Sequence, residues 1–292
     1  MALTDSDRLV HDPMGGMPRL LEIMARLRDP ATGCPWDIEQ SFASIAPYTL
    51  EEAHEVADVI ERQAWAELPG ELGDLLFQVV YHAQMAQDAG LFGFDTVVRA
   101  IADKMVARHP HVFGEESRDK TAQQQTADWE RIKAAERGAN GSGARVLDGV
   151  AMGLPALTRA VKLQNRAARV GFDWPSTDEV LAKLREEMAE LVEAREHHGA
   201  AQVFEEFGDL LFVMANLARH MKLDPEAALR AANAKFTRRF GRIEDWLAEA
   251  GKAPSGSDLA EMDALWNRAK AEDKARQAAV SGAAGGASGG DI

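Results

Sequence analysis

Cysteine is nearly missing from this 292-residue chain: Cys34 is the only one, so no internal disulfide framework can staple the fold. No stretch approaches the roughly 18 consecutive apolar residues that a bilayer span needs, and the opening MALTDSDRLVHDP has neither the basic nor the apolar region of a signal peptide. Basic charge is short as well. Lys and Arg number 33 against 47 Asp and Glu, a formal charge of −14, and such a field repels nucleic acid and anionic lipid. These shortages predict a protein of the reducing cytoplasm with no nucleic-acid or membrane partner. Any anionic substrate then needs a local cationic device. Neither half has a glycine loop of the kind that cradles phosphates, which removes P-loop kinases and ATPases from consideration.

Strand signals are scarce too, whereas Ala, Leu, Glu, Arg and Met recur at helical spacing through most of the chain. The predicted fold class is all-α, and the 46% apolar content supports a helical core in each of two domains. Two segments interrupt the pattern: GANGSGA, from Gly138 to Ala144, reads as a flexible linker, and AAVSGAAGGASGGDI, from Ala278 to Ile292, as a disordered tail. The expected organisation is a helical module over 14–137, a linker over 138–145, a second module over 146–277 and a tail over 278–292.

The two halves are copies of one unit. Glu51-Glu52-Ala-His54-Glu55 and Glu71-Leu-Gly-Asp74 in the first match Glu186-Glu187-Met-Ala-Glu190 and Glu206-Phe-Gly-Asp209 in the second, every position 135 residues on. A constant offset across two motifs and their spacer implies duplication. Gly-Asp-Leu-Leu-Phe recurs at 73–77 and 208–212, Lys104/Arg108 pairs with Lys235/Arg239, and Trp129/Lys133 with Trp266/Lys270.

Residues three apart in a helix share a face, so Glu52 with Glu55 and Glu71 with Asp74 each form a carboxylate pair, repeated as Glu187 with Glu190 and Glu206 with Asp209. The spacer over 56–70 contains Leu68-Pro69-Gly70, which suits a helix end, a turn and a new start, and hence an antiparallel hairpin. If the faces meet, four carboxylates converge on largely apolar helices and repel one another unless a cation joins them. All-oxygen ligation favours Mg²⁺ or Mn²⁺ over zinc. The plain alternative is a solvated acidic face, although the repetition of the motif and its apolar continuation speak against it. A di-iron bundle would need Glu-x-x-His twice; Glu51 to His54 supplies it once, and the second half has Ala189 in the histidine's place.

The Glu-Glu-x-x-Glu, spacer, Glu-x-x-Asp pattern resembles the MazG family of all-α nucleoside triphosphate pyrophosphohydrolases. The likeness includes Gly33-Cys34-Pro35-Trp36-Asp37, Tyr48-Thr-Leu-Glu51-Glu52, Ala168-Arg-Val-Gly-Phe-Asp-Trp174 and Asn216-Leu-Ala-Arg-His220. The resemblance implies Mg²⁺-dependent hydrolysis of nucleoside triphosphates of many bases to the monophosphate and pyrophosphate. Metal ligands would be Glu187, Glu190, Glu206 and Asp209, with Glu52, Glu55, Glu71 and Asp74 as their repeat counterparts, and Glu186 is a candidate for accepting the water's proton. By the same resemblance Lys235, Arg239 and Lys270 contact phosphates, and Trp266 is a candidate cover for base or ribose. Two-module relatives place turnover in the C-terminal module and assembly in the N-terminal one. The first half also departs from the family pattern, with Gly70 where the second half keeps Glu205.

Helical modules of this kind need a partner to cover apolar faces, which predicts a homodimer. Trp36 and Trp174 read as packing anchors and Cys34 as a small buried residue. Rival readings are a helical scaffold without catalysis and a narrower hydrolase acting on phosphoribosyl-ATP or a guanosine alarmone.

Overall fold

A computed structural model describes residues 4–121, 124–125, 128–129, 132 and 145–285, with side chains given throughout except at 277 and 279–285. The described residues form helices and no strand. The chain divides into two compact units at Glu136/Arg137. Residues 138–144 of the expected linker, Lys133 and residues 286–292 of the expected tail lie outside the described residues.

Unit 1 opens with α1 (Asp5–His11), capped by the Thr4 side chain in a reciprocal box with Asp7, and α2 (Gly16–Leu27). A short α3 (Pro35–Glu39) leads to the long pair α4 (Phe42–Arg62) and α5 (Leu68–Asp88), followed by α6 (Phe94–Arg108) and the single turn α7 (Pro110–Phe113). Ser41 caps α4, its hydroxyl accepting from the Ser44 N–H. Gln63 takes the left-handed conformation, φ 56°, to end that helix. Leu68, Pro69 and Gly70 form the first turn of α5 rather than the connection itself, which is Gln63 to Glu67. Proline suits that first turn, where its missing N–H has no intrahelical partner to lose. The core is apolar: Met24 of α2, Ile45 of α4 and Val80, Tyr81 and Met85 of α5 are all buried. The Tyr81 hydroxyl donates to the Asp37 carbonyl at 2.9 Å and thereby ties α3 to α5.

Unit 2 repeats the hairpin. It contains α8 (Ala156–Ala168), α9 (Thr177–His197), α10 (Ala200–His220), α11 (Pro225–Glu249) and α12 (Leu259–Gly285), with a 3₁₀ turn at Pro254–Gly256. Only His198 and Gly199 separate α9 from α10, so the two run back antiparallel and pack along their length. Ser176 caps α9, and Asp224 caps α11 by accepting from the Glu226 and Ala227 N–H groups. Val180, Val213, Ala215, Ile243, Trp246 and Leu247 are buried. Helix α12 continues to Gly285, eight residues into the stretch expected to be tail, where the alanines favour a helix.

Trp36 and Trp174 are not buried anchors. Trp36 is 51% exposed, edge-on to Tyr48, and Trp174 is exposed as well. Cys34 is half-buried.

Candidate metal centre

The α4–α5 hairpin carries Glu52 and Glu55 on one helix and Glu71 on the other; the α9–α10 hairpin carries Glu187, Glu190 and Glu206 in the same way. In each unit one carboxylate oxygen from each of the three residues lies within 4.8 Å of the other two. The helix spacing explains this: an i,i+3 pair on one helix faces the first turns of the next. Glu187 is 5% exposed, Glu52, Glu71 and Glu206 are half-buried, and Glu55 and Glu190 are exposed. Asp74 and Asp209, expected as fourth ligands, are exposed and fall outside these groups of three. One helical turn past Glu71, Asp74 is still near enough for its charge to act on Glu52 of the facing helix.

The electrostatics follow from the crowding. Burial pushes the Glu52 carboxyl above its ordinary range, reinforced by the charges of Glu55 and Asp74 and a hydrogen bond with Glu55. Loss of water on one side likewise pushes the Glu190 carboxyl up, opposed by Lys183 and reinforced by Glu187, Glu186 and Glu206. Carboxylates that raise one another's proton affinity in this way are relieved by a cation, and an all-oxygen donor set with room for water or phosphate oxygens fits a hard divalent ion. The residues present therefore fit such an ion in both units.

Two contacts in unit 2 escape the carboxylate pattern. Lys183, one turn before the Glu-Glu pair, reaches Glu186 at 2.7 Å and Glu187 at 2.9 Å. Both carboxylates hold its ammonium above the ordinary lysine range. Gln202 donates to Glu206 at 2.5 Å. The i,i+3 and i,i+4 spacing of Lys183 to Glu186 and Glu187 is the sequence signal that identifies it. Glu186, the candidate proton acceptor, is thus ion-paired at the exposed edge of the cluster.

The cationic residues form a second group on α11 and α12. Arg239 pairs with Asp273 at 2.8 Å and lies over the Trp266 ring at 5.5 Å. Arg238 reaches the same Asp273 oxygen at 3.0 Å, and the two guanidinium groups bring its carboxyl down to about 2. Lys235 and Lys270 are exposed, a turn before Arg239 and a turn after Trp266. Trp266 is half-buried and packs against Phe236, which is 58% exposed. No ion pair or hydrogen bond among the described residues joins this group to the carboxylates. In unit 1 the corresponding Trp129 donates its indole N–H to the Arg108 carbonyl at 3.1 Å and packs on His109, where the second copy has Phe240.

Sequence comparison bears on both hairpins at once. The family model described as the MazG nucleotide pyrophosphohydrolase domain matches residues 40–113 and 176–242, the stretches that hold the two carboxylate groups. A nucleoside triphosphate pyrophosphohydrolase of Escherichia coli is 49% identical over 262 residues, covering 89% of this chain and 99% of its own. A nucleoside triphosphate pyrophosphohydrolase/pyrophosphatase of Thermotoga maritima is 39% identical over 255 residues, 87% of this chain and 96% of its own. An uncharacterized Bacillus subtilis protein, YabN, is 42% identical over 259 residues, which make up 51% of its length. With two matched hairpins, a carboxylate triad on each and full-length relatives at this identity, the chain belongs to the MazG family of nucleotide pyrophosphohydrolases.

Proposed function

We propose that this chain hydrolyses nucleoside triphosphates to the monophosphate and pyrophosphate, with Mg²⁺ as the cation and Mn²⁺ as a substitute, and that unit 2 carries the turnover. The observation that carries the reading is the meeting of Glu187, Glu190 and Glu206 within 4.8 Å across the α9–α10 hairpin. The relatives named for this activity support it. Bound there, a divalent ion would neutralise phosphate charge and lower the pKa of a coordinated water.

The protein's own contribution is placement. Lys183 and Gln202 hold buried Glu187 and half-buried Glu206 in place until an ion takes over their oxygens. Asp209, one turn on from Glu206, completes the proposed ligand set. Glu186 at the exposed edge accepts the proton of the attacking water. That water's oxygen bonds to the α-phosphorus as the α–β anhydride bond breaks, and pyrophosphate leaves. Exposed Lys235 and Lys270 meet the β and γ phosphates, supplying the local positive charge that a chain of net −14 needs. Arg239 can join them only by sharing its guanidinium with Asp273. The open face of Phe236 beside Trp266 gives a stacking surface, and stacking tolerates every base, in keeping with a broad base range.

A homodimer of the reducing cytoplasm, with no nucleic-acid or membrane partner, completes the proposal. Among the described residues no helix is long and apolar enough to cross a membrane. Incubation with ATP and Mg²⁺ followed by ³¹P NMR tests the chemistry: AMP and pyrophosphate should appear together and cease with excess EDTA. ADP and orthophosphate as first products would contradict it.

A further inference from the structure

The two carboxylate groups share a backbone but differ in what surrounds them. Lys183, ion-paired with Glu186 and Glu187, is matched in unit 1 by Tyr48, 135 residues earlier, which turns its ring to Trp36 at 6.2 Å. Gln202, the donor to Glu206, is matched by Glu67, whose carboxylate is taken by Arg62 at 2.9 Å. Both substitutions act in one direction. Unit 2 supplies a cation and a neutral donor to its own carboxylates, whereas among the described residues no Lys or Arg pairs with Glu52, Glu55 or Glu71. Glu205, the carboxylate that unit 2 has in place of Gly70, is exposed and outside its group of three, so it does not restore the balance.

Resting on the metal reading above, we propose that unit 1 is the tighter divalent-cation site and holds its ion as a resident part of the fold, while unit 2, partly neutralised by Lys183, loads its ion weakly and together with substrate. An incoming ion at unit 1 meets one positive charge fewer and need not displace an ammonium. At unit 2 it must compete with Lys183 for Glu187 and with Gln202 for Glu206. A unit charge a few ångströms away, at the effective dielectric of a partly buried site, is worth roughly tenfold or more in affinity for a divalent ion. The asymmetry also suits division of labour, since a site that exchanges its ion each cycle and one that never does need opposite tuning.

Mn²⁺ binding to the full chain without nucleotide, followed by the electron paramagnetic resonance of the free ion, tests this. Two classes of site are expected, at least about tenfold apart. Glu71→Gln should abolish the tight class and Glu206→Gln the weak one. Tyr48→Lys should loosen the tight class about tenfold, and Lys183→Gln should tighten the weak class by a similar factor. Circular dichroism confirms folding, and the last two variants decide the matter if a glutamate change disrupts the hairpin. A single affinity class, a tight class that answers to Glu206→Gln, or affinities unmoved by both Tyr48→Lys and Lys183→Gln would overturn the proposal. Absence of any Mn²⁺ binding would instead overturn the metal reading itself.

Discussion

Lys235 and Arg239 sit one turn apart on α11, yet the structure gives them different surroundings. Lys235 is exposed, so its ammonium is available to phosphate. Arg239 is committed to Asp273 and to the Trp266 ring, which makes it part of the joint between α11 and α12. Lys235→Ala should lower kcat/KM by roughly 10- to 150-fold, the equivalent of about 1.5–3 kcal/mol for a lost charge-assisted contact, with Tm unmoved. Arg239→Ala should lower Tm as well, by roughly 2–4 °C for each kcal/mol of joint stability lost. Thermal melts beside steady-state kinetics separate the two; equal melts for both variants would put Arg239 back among purely substrate-facing residues. The sequence shows that these cations share a face, because spacing is all that a helical face requires. It does not show that Asp273, from a different helix, claims one of them, since that contact depends on how α12 packs.

At the scale of elements the hairpins were legible for a similar reason. Apolar periodicity, the motif spacing and Leu68-Pro69-Gly70 predict helices folded back on one another, and the i,i+3 spacing predicts carboxylate pairs; in the structure three carboxylates of each unit lie together. Asp74 and Asp209, one turn after Glu71 and Glu206, fall outside these groups of three, although the Asp74 charge still reaches Glu52 on the facing helix. The hairpins also leave an apolar stripe uncovered. Leu72, Leu76 and Val79 of α5 are exposed, as are the repeat-equivalent Phe207, Leu211 and Met214 of α10. Large contiguous apolar surface on a soluble helix marks an interface, and full burial of each such side chain is worth about 1.5–3 kcal/mol. Leu211→Asp with Met214→Asp should therefore convert a dimer to a monomer in sedimentation equilibrium at micromolar concentration. A wild-type chain that sediments as a monomer would refute the dimer.

Across the whole molecule, duplication has produced two similar scaffolds with unlike sites. Unit 1 keeps an apolar core at Tyr81 and Met85, where unit 2 has Asn216 and His220. Unit 1 has Tyr48, Glu67 and Gly70 where unit 2 has Lys183, Gln202 and Glu205. The repeat itself reads directly from a constant offset, but the consequence of each difference appears only once the side chains are placed around the carboxylates. The central claim is that turnover belongs to unit 2, and kcat per chain for Glu206→Gln, Glu71→Gln and the double variant tests it most directly. Each change keeps the shape of the side chain and removes one ligand charge. Glu206→Gln should leave a folded protein with almost no pyrophosphate release, and Glu71→Gln should retain a kcat close to wild type. Two independent sites would instead leave about half the activity in each single variant and none in the double, and near-equal losses of that kind would contradict the assignment.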